Sequence, residues 1–357
     1  MGLEIGGTRI RICIGDDNGK IYCIKTEQID FSHGDNGVTE QIIKMVKAAA
    51  KEGGLPVKDV LAMGIGSAGQ PDKAKGIIYN PANCPWKIMK FPSKLEKELK
   101  IPIYLRNDVA IAVYAARKIG HGSKFSQLVP RWDAAMTIGT GTNLAVMYND
   151  SLLLNPMDES PEWGHSKLNT DASYLPKCGC GGRGCIESYI SGAGIRTRTL
   201  HVLEGILKKK KQAILKDPIL VEAKKRLSKK RVDLKKMKPP EFIKMVKAED
   251  VFNAYKKTNG RDKTAKTIVD DTSTYMAYAF GDILSSYPLI PYVEIFGAVA
   301  ISNPELTVKE AVRKLRKTPI KFCNRDLERR HTQFLITNIQ NIGLHGAVEL
   351  AWFELDK

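Results

Sequence analysis

A strand–glycine turn–strand pattern occurs twice in this sequence. The first copy, "LEIGGTRIRICIGDDNG", begins at Leu3, and the second, "AAMTIGTGTNLAVMYND", begins at Ala134. In both copies, apolar residues on either side of the glycines predict two β-strands joined by a tight turn. Two related halves that each open with such a hairpin indicate a two-lobed α/β protein with a cleft between the lobes.

The residues between the two copies alternate between helical and strand patterns. "TEQIIKMVKAAAKEGG" is amphipathic and ends in glycines, which predicts a helix, whereas "VLAMGIGSAG" predicts a buried strand. "PIYLRND" predicts another strand, followed by a helix over "VAIAVYAARKIG" that ends at Gly120. We therefore expect a first lobe over residues 1–118 and a second over 119–339, with a terminal helix at about 340–357 that returns to the first lobe.

The length and composition are those of a soluble protein with two domains. The chain has 357 residues, of which 43% are hydrophobic and 27% are charged. No apolar run approaches the ~20 residues that cross a membrane, and the first residues do not have the pattern of a signal peptide. We expect a cytoplasmic protein without membrane association. In that compartment, clustered cysteines are more often metal ligands than disulfides.

The net charge of +17 is concentrated in one part of the sequence. Residues 201–250 contain sixteen Lys and Arg against seven Asp and Glu, which places +9 of the total there. Helical spacing predicts a Lys-rich helical insertion over about 204–247. Such a charge run suits either a polyanion such as nucleic acid or a solvated surface. Because Phe242 is its one aromatic residue, we favour a surface accessory at the cleft mouth or on a partner subunit, and expect no nucleic-acid binding.

The two glycine turns have the composition of phosphate-binding loops. Gly6 and Gly7 carry no side chains, so their backbone N–H groups can approach anionic oxygens, and Thr8 adds a hydroxyl. One such turn alone is equally well explained as a plain hairpin. The second copy, residues 139–142, favours a pair of turns that hold a polyphosphate from both sides.

Asn107 and Asp108 follow a predicted strand and precede a predicted helix. A carboxylate at this position is often catalytic. Asn and Asp are also the favoured N-caps of helices, so the dipeptide alone leaves both interpretations open.

A cysteine-rich loop lies between two glutamates. His165, Cys178, Cys180 and Cys185 offer one imidazole and three thiolates, which is the ligand set of a closed structural zinc site. A metal-free glycine loop is the alternative, and redox chemistry is less expected because the loop contains no C-x-x-C. A metal here would also fix the nearby carboxylates of Glu162 and Glu187, as recognition of hydroxyl groups requires.

Together these residues resemble the ROK family of sugar kinases and sugar-responsive repressors, within the hexokinase/actin-like superfamily. The resemblance covers about residues 1–200 and 247–357 and rests on the following segments in this order: "EIGGTRIRICIGD", "GIGSAGQPDKAKGIIYNPANCPW", "LRNDVAIAVYAA", "IGTGTNLAVMYND", "EWGH", "CGCGGRGCIESYISG" and "FGAVAIS". It implies a two-lobed ribonuclease-H-like fold and transfer of the γ-phosphoryl of ATP, with Mg²⁺, to a sugar hydroxyl in the central cleft.

The resemblance also implies roles for individual residues. Asp108 matches the catalytic base of the family. The positions that match sugar contacts are Gly69, Asn83, Asn107, Asp108, Glu162, His165 and Glu187. Those that match the nucleotide and phosphate side are Glu4, Gly6, Gly7, Thr8, Arg9, Gly139, Thr140, Gly141, Thr142 and Gly297. The zinc ligands of the family match His165, Cys178, Cys180 and Cys185, so His165 is expected to face both the zinc and the sugar.

Three features depart from the family pattern. Residue 4 is Glu where the family usually has Asp, so its carboxylate reaches one methylene further towards the expected Mg²⁺. Residue 298 is Ala where a second glycine is usual, which bears on how the adenosine lies. The Lys-rich insertion has no counterpart among the family motifs.

Within the family, we expect a kinase rather than a repressor. Repressors carry a DNA-binding helix-turn-helix ahead of the first glycine hairpin, and here that hairpin begins at Gly6. Glucose is the expected acceptor. Kinases of N-acetylmannosamine, N-acetylglucosamine or fructose are the alternatives, because pocket shape around the second carbon of the sugar is not visible in residue spacing.

A sugar-sensing regulatory protein or a polyanion-binding protein is the alternative of another class. ATP is the expected phosphoryl donor, with another nucleotide or polyphosphate left open. From the family we also expect a homodimer.

Overall fold

Two five-stranded sheets lie at the centre of the structure, one in each half of the chain. The computed structural model describes residues 1–81, 84–169, 174–209, 213–230, 237–317 and 332–357. Its strands are β1 Gly2–Ile5, β2 Arg9–Gly15, β3 Ile21–Gln28, β4 Met63–Ser67, β5 Gln70–Asp72, β6 Ile77–Tyr79, β7 Ile88–Met89, β8 Ile103–Asn107, β9 Trp132–Ile138, β10 Thr142–Tyr148, β11 Ser151–Leu152, β12 Tyr292–Phe296 and β13 Gln333–Ile336.

Helices cover the faces of these sheets. They are α1 Gly34–Glu52, α2 Phe91–Leu99, α3 Asp108–Lys118, α4 Glu187–Ile190, α5 Gly192–Lys209, α6 Pro218–Lys229, α7 Pro239–Ile243, α8 Ala248–Lys257, α9 Lys263–Ser286, α10 Ala298–Ser302, α11 Val308–Lys317 and a C-terminal helix Ile342–Leu355. Short 3₁₀ turns occur at Val57–Asp59, His121–Phe125, Trp163–His165, Ala213–Lys216 and Pro304–Leu306. None of the helices described is long and apolar enough to cross a membrane.

The two large sheets have the same topology. The first has the order β3-β2-β1-β4-β8 and the second the order β11-β10-β9-β12-β13. In each, three antiparallel strands are followed by two strands parallel to the central one. The glycine turns join β1 to β2 and β9 to β10, so the repeated pattern in the sequence corresponds to a repeated half-molecule. The prediction of a two-lobed α/β fold is confirmed.

Strand register brings the carboxyl ends of the parallel strands to one edge of the first sheet. Ile5 on β1 pairs with Ser67 on β4, and Ser67 pairs with Asn107 on β8. In open α/β sheets, ligands bind at this edge. Asp108 therefore begins α3 at the edge where chemistry is expected.

The C-terminal helix packs against the first sheet and against α3. Its approach is close, because a Cβ at Gly64 would lie only 1.9 Å from the carbonyl oxygen of Ala347. An apolar cluster formed by Val109, Ala135 and Leu350 joins α3, β9 and this helix. Helix α3 thus lies between the two sheets, with Asp108 at its first turn.

The Lys-rich segment is more deeply buried than expected. Its charged residues include the exposed Lys224 and Lys229, but its apolar residues Ile219, Leu227 and Phe242 are buried in the core of the second half. The prediction of a solvated surface accessory is therefore wrong for this apolar face. Residues 210–212 and 231–236 of the segment lie outside the described residues.

Candidate active site

A cleft of about 550 Å³ is lined by residues of both halves of the chain. The first half contributes Glu4, Arg11 and Asp108, and the second contributes Phe296 and Gly297. Ile301 and residues 337–343, which end in the start of the C-terminal helix, form the remaining wall. We call this the Asp108 cleft.

Asn107 is the cap of helix α3. Its Oδ1 accepts a hydrogen bond from the Val109 N–H at 2.9 Å, and its Nδ2 donates to the Gly69 carbonyl at 3.3 Å. The capping interpretation is therefore right for Asn107, and the amide also ties the end of β4 to the end of β8. The neighbouring Asp108 accepts from the same N–H at 3.0 Å and faces the cleft.

Asp108 lies in an environment that opposes its ionisation. Burial raises the pKa of Asp108 from 3.8 to about 6, and the negative charges of Glu4 and Glu162 act in the same direction. The Val109 N–H, which stabilises the carboxylate, opposes this change. A carboxylate with a pKa near neutrality accepts a proton more effectively than an ordinary aspartate, while still being ionised at pH 7.

Glu4 is held by a cation rather than being free. It pairs across the β1–β2 ladder with Arg11, which forms an ion pair with it and donates from Nη1 to Asn341 Oδ1 at 2.8 Å. The longer side chain at position 4 is thus engaged by Arg11. The roles of Arg11 and Asn341 were missed at the sequence level, although the register of a tight hairpin would have placed Arg11 opposite Glu4.

The first glycine turn is an exposed hairpin turn. The Gly6 N–H donates to the Arg9 carbonyl at 3.0 Å, and Gly6, Thr8 and Arg9 are exposed. The described residues that line the Asp108 cleft do not include Gly6, Gly7, Thr8 or Arg9. The structure therefore places this turn beside the cleft without directing it into the cavity.

The second glycine turn forms the wall of a separate cavity of about 430 Å³, which we call the glycine-turn cavity. The carbonyls of Gly139 and Thr140 accept hydrogen bonds from the first residues of α5, at 2.8 Å and 3.1 Å. The described lining residues are Gly139, Thr140, Gly192, Ala193, Arg196, Lys247, Ala248, Glu249, Phe252, Ala298, Val299, Ser302 and Asn303.

Gly297 separates the cleft from this cavity. Its φ is +100°, and a Cβ there would lie 2.6 Å from the Ile138 carbonyl oxygen, so glycine is required. Ala298, which stands where a second glycine was expected, lines the glycine-turn cavity.

Four predicted metal ligands converge in the cysteine-rich loop. The ligand atoms of His165, Cys178, Cys180 and Cys185 all lie within 4.8 Å of one another. Cys180 Sγ is 3.8 Å from Cys185 Sγ, and Cys178 Sγ is 3.4 Å from His165 Nδ1. Tetrahedral zinc with ordinary bond lengths separates two sulfurs by about 3.8 Å and a sulfur from a nitrogen by about 3.5 Å. The donor set fits zinc in both chemistry and spacing.

The two ring nitrogens of His165 face different groups. Nδ1 faces the cysteines, whereas Nε2 lies 3.9 Å from Glu162 Oε2. Asn143 Nδ2 is 3.5 Å from the same carboxylate oxygen. Asn143 was missed in the sequence, where the available signal was a polar residue within the apolar strand "TNLAVMY".

Glu187 links the cysteine loop to the second glycine turn. Its Oε2 accepts the Thr142 N–H at 3.1 Å, and its Oε1 lies 3.4 Å from Cys178 Sγ. Thr142 was expected to contact phosphate, but its N–H donates a hydrogen bond to the Glu187 carboxylate instead. Asn83, the other predicted sugar contact, lies outside the described residues.

The site offers groups for proton transfer and for hydroxyl binding. Asp108 can accept a proton, while Glu162, Glu187 and Asn143 offer acceptors and donors for hydroxyl groups. The described residues that line the Asp108 cleft do not include these three. Gly139, Thr140 and the cation Lys247 line the neighbouring glycine-turn cavity.

Comparison with known proteins gives a family match over nearly the whole chain and individual relatives over about half of it. The model of the ROK family matches residues 1–352. Glucokinase of Streptomyces coelicolor is 27% identical over 195 residues, which are 55% of this chain and 57% of that protein. The chain thus spans little more than half the length of this relative. The xylose repressor of Bacillus subtilis is 23% identical over 191 residues, covering 54% and 47% of the two chains.

Solved structures share the fold over nearly the full length. The ROK family glucokinase of Streptomyces griseus, solved in complex with glucose and AMPPNP, superposes with a TM-score of 0.69. The superposition covers 98% of each chain at 22% sequence identity.

Proposed function

Since the chain belongs to the ROK family, we propose that it is a sugar kinase that transfers the γ-phosphoryl of ATP to a hexose hydroxyl. Glucose is the acceptor in this proposal, and Asp108 is the general base. The observation that carries it is the position of Asp108, half-buried in a cleft between two halves, with a pKa raised to about 6.

In this mechanism, the Asp108 carboxylate accepts the hydroxyl proton as the phosphoryl group arrives. A sugar hydroxyl is a poor nucleophile, so proton acceptance at the moment of attack lowers the barrier. The residues proposed to position the sugar are Gly69, Asn83, Asn107, Glu162, His165 and Glu187. Closure of the two lobes would exclude water, which otherwise competes as the acceptor.

The nucleotide is proposed to occupy the glycine-turn cavity, with its phosphates directed towards the Asp108 cleft past Gly297. Residues 139–142 and the first turn, residues 6–9, are the proposed phosphate contacts. Mg²⁺ bound with ATP would be held near Glu4, where it neutralises phosphate charge. Because Arg11 already pairs with Glu4, that cation and the metal would share one carboxylate.

Zinc is proposed as a structural ion of the cysteine loop, held by His165, Cys178, Cys180 and Cys185. A bound ion would fix the loop that carries His165 and directly precedes Glu187. The ammonium of Lys167 lies 3.3 Å from Cys185 Sγ and so adds a positive charge beside the proposed zinc ligands.

A sugar-sensing regulator is the second candidate, because xylose repressors are among the matching proteins. A regulator needs the sugar site but has no use for a general base whose pKa lies near neutrality. The raised pKa of Asp108 therefore favours the kinase. N-acetylhexosamine and fructose kinases remain the alternatives for substrate, and the expected homodimer and cytoplasmic location remain predictions.

A sugar panel tests this function. ADP release would be followed with ATP and each of glucose, N-acetylmannosamine, N-acetylglucosamine and fructose, with a sugar-free control. We expect the highest kcat/KM with glucose. A preference for another sugar would contradict the glucose assignment alone, whereas no sugar-dependent ADP release with any member would contradict the kinase.

A further inference from the structure

The Lys-rich segment reaches the glycine-turn cavity. Helix α6 lies within this segment, and the segment leads directly into α8, whose first residues line the cavity. Lys247, Glu249 and Phe252 supply that wall. The position of the wall therefore depends on what holds the start of α8.

Arg226 on α6 holds the first turn of α8 through Asp250. Its Nε donates to Asp250 Oδ1 at 2.9 Å and its Nη2 to Asp250 Oδ2 at 2.8 Å. Nη2 also donates to the Met245 carbonyl at 2.6 Å. The Asp250 side chain is 1% exposed, and it accepts the Lys247 N–H at 2.9 Å as well. A buried carboxylate is stable only with such partners, and loss of Arg226 would remove the cation that pairs with Asp250 while the Lys247 N–H contact remains.

A second arginine, on a different helix, holds the same segment. Arg196 on α5 donates from Nε to the Val246 carbonyl at 3.0 Å and from Nη2 to the Lys244 carbonyl at 2.6 Å. Residues 244–246 are thus hydrogen-bonded to both α5 and α6, and the next residue, Lys247, lines the cavity.

We propose that Arg226 is a positioning residue for the nucleotide, and that through it the Lys-rich segment sets the affinity of the glycine-turn cavity for a nucleoside triphosphate. Arg226 does not itself line the cavity. It acts through Asp250 and through Glu249, a lining residue whose Oε1 lies 3.1 Å from Arg226 Nε. The inference rests on the proposed function, which places the nucleotide there. It assigns to the segment a role in donor binding, where a solvated accessory would have none.

The test is direct nucleotide binding without sugar. Calorimetric Kd values for ADP and AMPPNP would be measured for the wild type, Arg226→Lys and Arg226→Met, together with KM for ATP and for the sugar. We expect Arg226→Met to weaken nucleotide binding by at least about 10-fold with the sugar KM unchanged, because small displacements of positioning groups have large effects. Arg226→Lys should lie in between, since an ammonium cannot reproduce the bidentate contact.

Lys225→Met is the matched control. Lys225 is the neighbouring cation on α6, exposed and paired with Glu222, and its loss should leave both Kd and KM as in the wild type. Unchanged nucleotide Kd in a folded Arg226→Met variant would overturn the inference. If that variant does not fold, Arg226→Lys decides, and a wild-type Kd there would overturn it.

The two proposals can fail separately. A wild-type chain that binds nucleotide but phosphorylates no sugar contradicts the proposed function alone, and the Arg226 series still decides the inference. A wild-type chain that binds no nucleotide contradicts both.

Discussion

At the scale of single residues, the proposed chemistry centres on a carboxylate, Asp108, whose pKa is raised by burial and by neighbouring charges. Burial is the largest cause of the raised pKa of Asp108, and the charge of Glu4 is the second. Glu4 is itself partly neutralised by its ion pair with Arg11. The presence of Glu rather than Asp at position 4 therefore affects the pKa of Asp108 as well as the proposed Mg²⁺ site.

The pH dependence of the reaction should report this environment. A general base works in its ionised form, so kcat/KM should fall as the pH falls through about 6, the pKa of Asp108. In Glu4→Gln, a negative charge near Asp108 is lost, the pKa of Asp108 falls, and the acidic limb of the profile should move to lower pH. The measurement is a pH–rate profile at subsaturating sugar.

Glu305→Gln is the control for this shift. Glu305 is exposed and pairs with Lys309 on the surface of the second half, so its profile should match that of the wild type. An acidic limb in Glu4→Gln at the wild-type pH would show that Glu4 does not act on the base.

At the scale of elements, the hairpins, the helices and the proximity of His165 to the three cysteines were easier to predict from the sequence than which residues face a cavity. The four ligands in the cysteine loop come from residues close in the chain, and the structure brings them together. The first glycine turn forms as predicted, but its residues do not line the Asp108 cleft. Which cavity a turn faces depends on how the sheets pack together, and the spacing of residues along the chain does not show that.

The Lys-rich segment shows the same limit. Ile219, Leu220, Ala223 and Leu227 form one apolar face of α6, and this spacing was present in the sequence. The many lysines on the other face of this helix are what made a solvated surface the expectation. The ion pair of Arg226 with Asp250 joins two helices and could not be predicted from either helix alone.

Zinc removal is the prediction at this scale. Purified protein should contain about one zinc per chain. Cys185→Ser should lose the zinc, lower the melting temperature and raise the KM for sugar, because the loop carries His165 and precedes Glu187. Metal analysis, thermal unfolding and steady-state kinetics would check these three effects.

Cys23→Ser provides the control, because Cys23 is a half-buried thiol on β3 outside the loop. It should retain zinc, stability and KM. A wild-type chain that is fully active without metal would contradict the structural role of zinc.

At the scale of the whole molecule, a duplicated sheet places Asp108, the proposed general base, between two halves. The repeat was visible in the sequence because each half begins with the same hairpin. The shared cluster of α3, β9 and the C-terminal helix was not, since it joins residues as distant as Val109 and Leu350. Asp108 owes its position to that packing, and its raised pKa follows from the position.

The most direct test of this account is turnover by Asp108→Asn, which removes the charge of the base and keeps its shape. Sugar-dependent ADP release should fall by ~10²–10⁴-fold, while tryptophan fluorescence and calorimetry still show sugar and nucleotide binding. Asp59→Asn, the same substitution at an exposed site in the first half, should keep wild-type turnover. Turnover by Asp108→Asn within a few-fold of the wild type would contradict the assignment of Asp108 as the base.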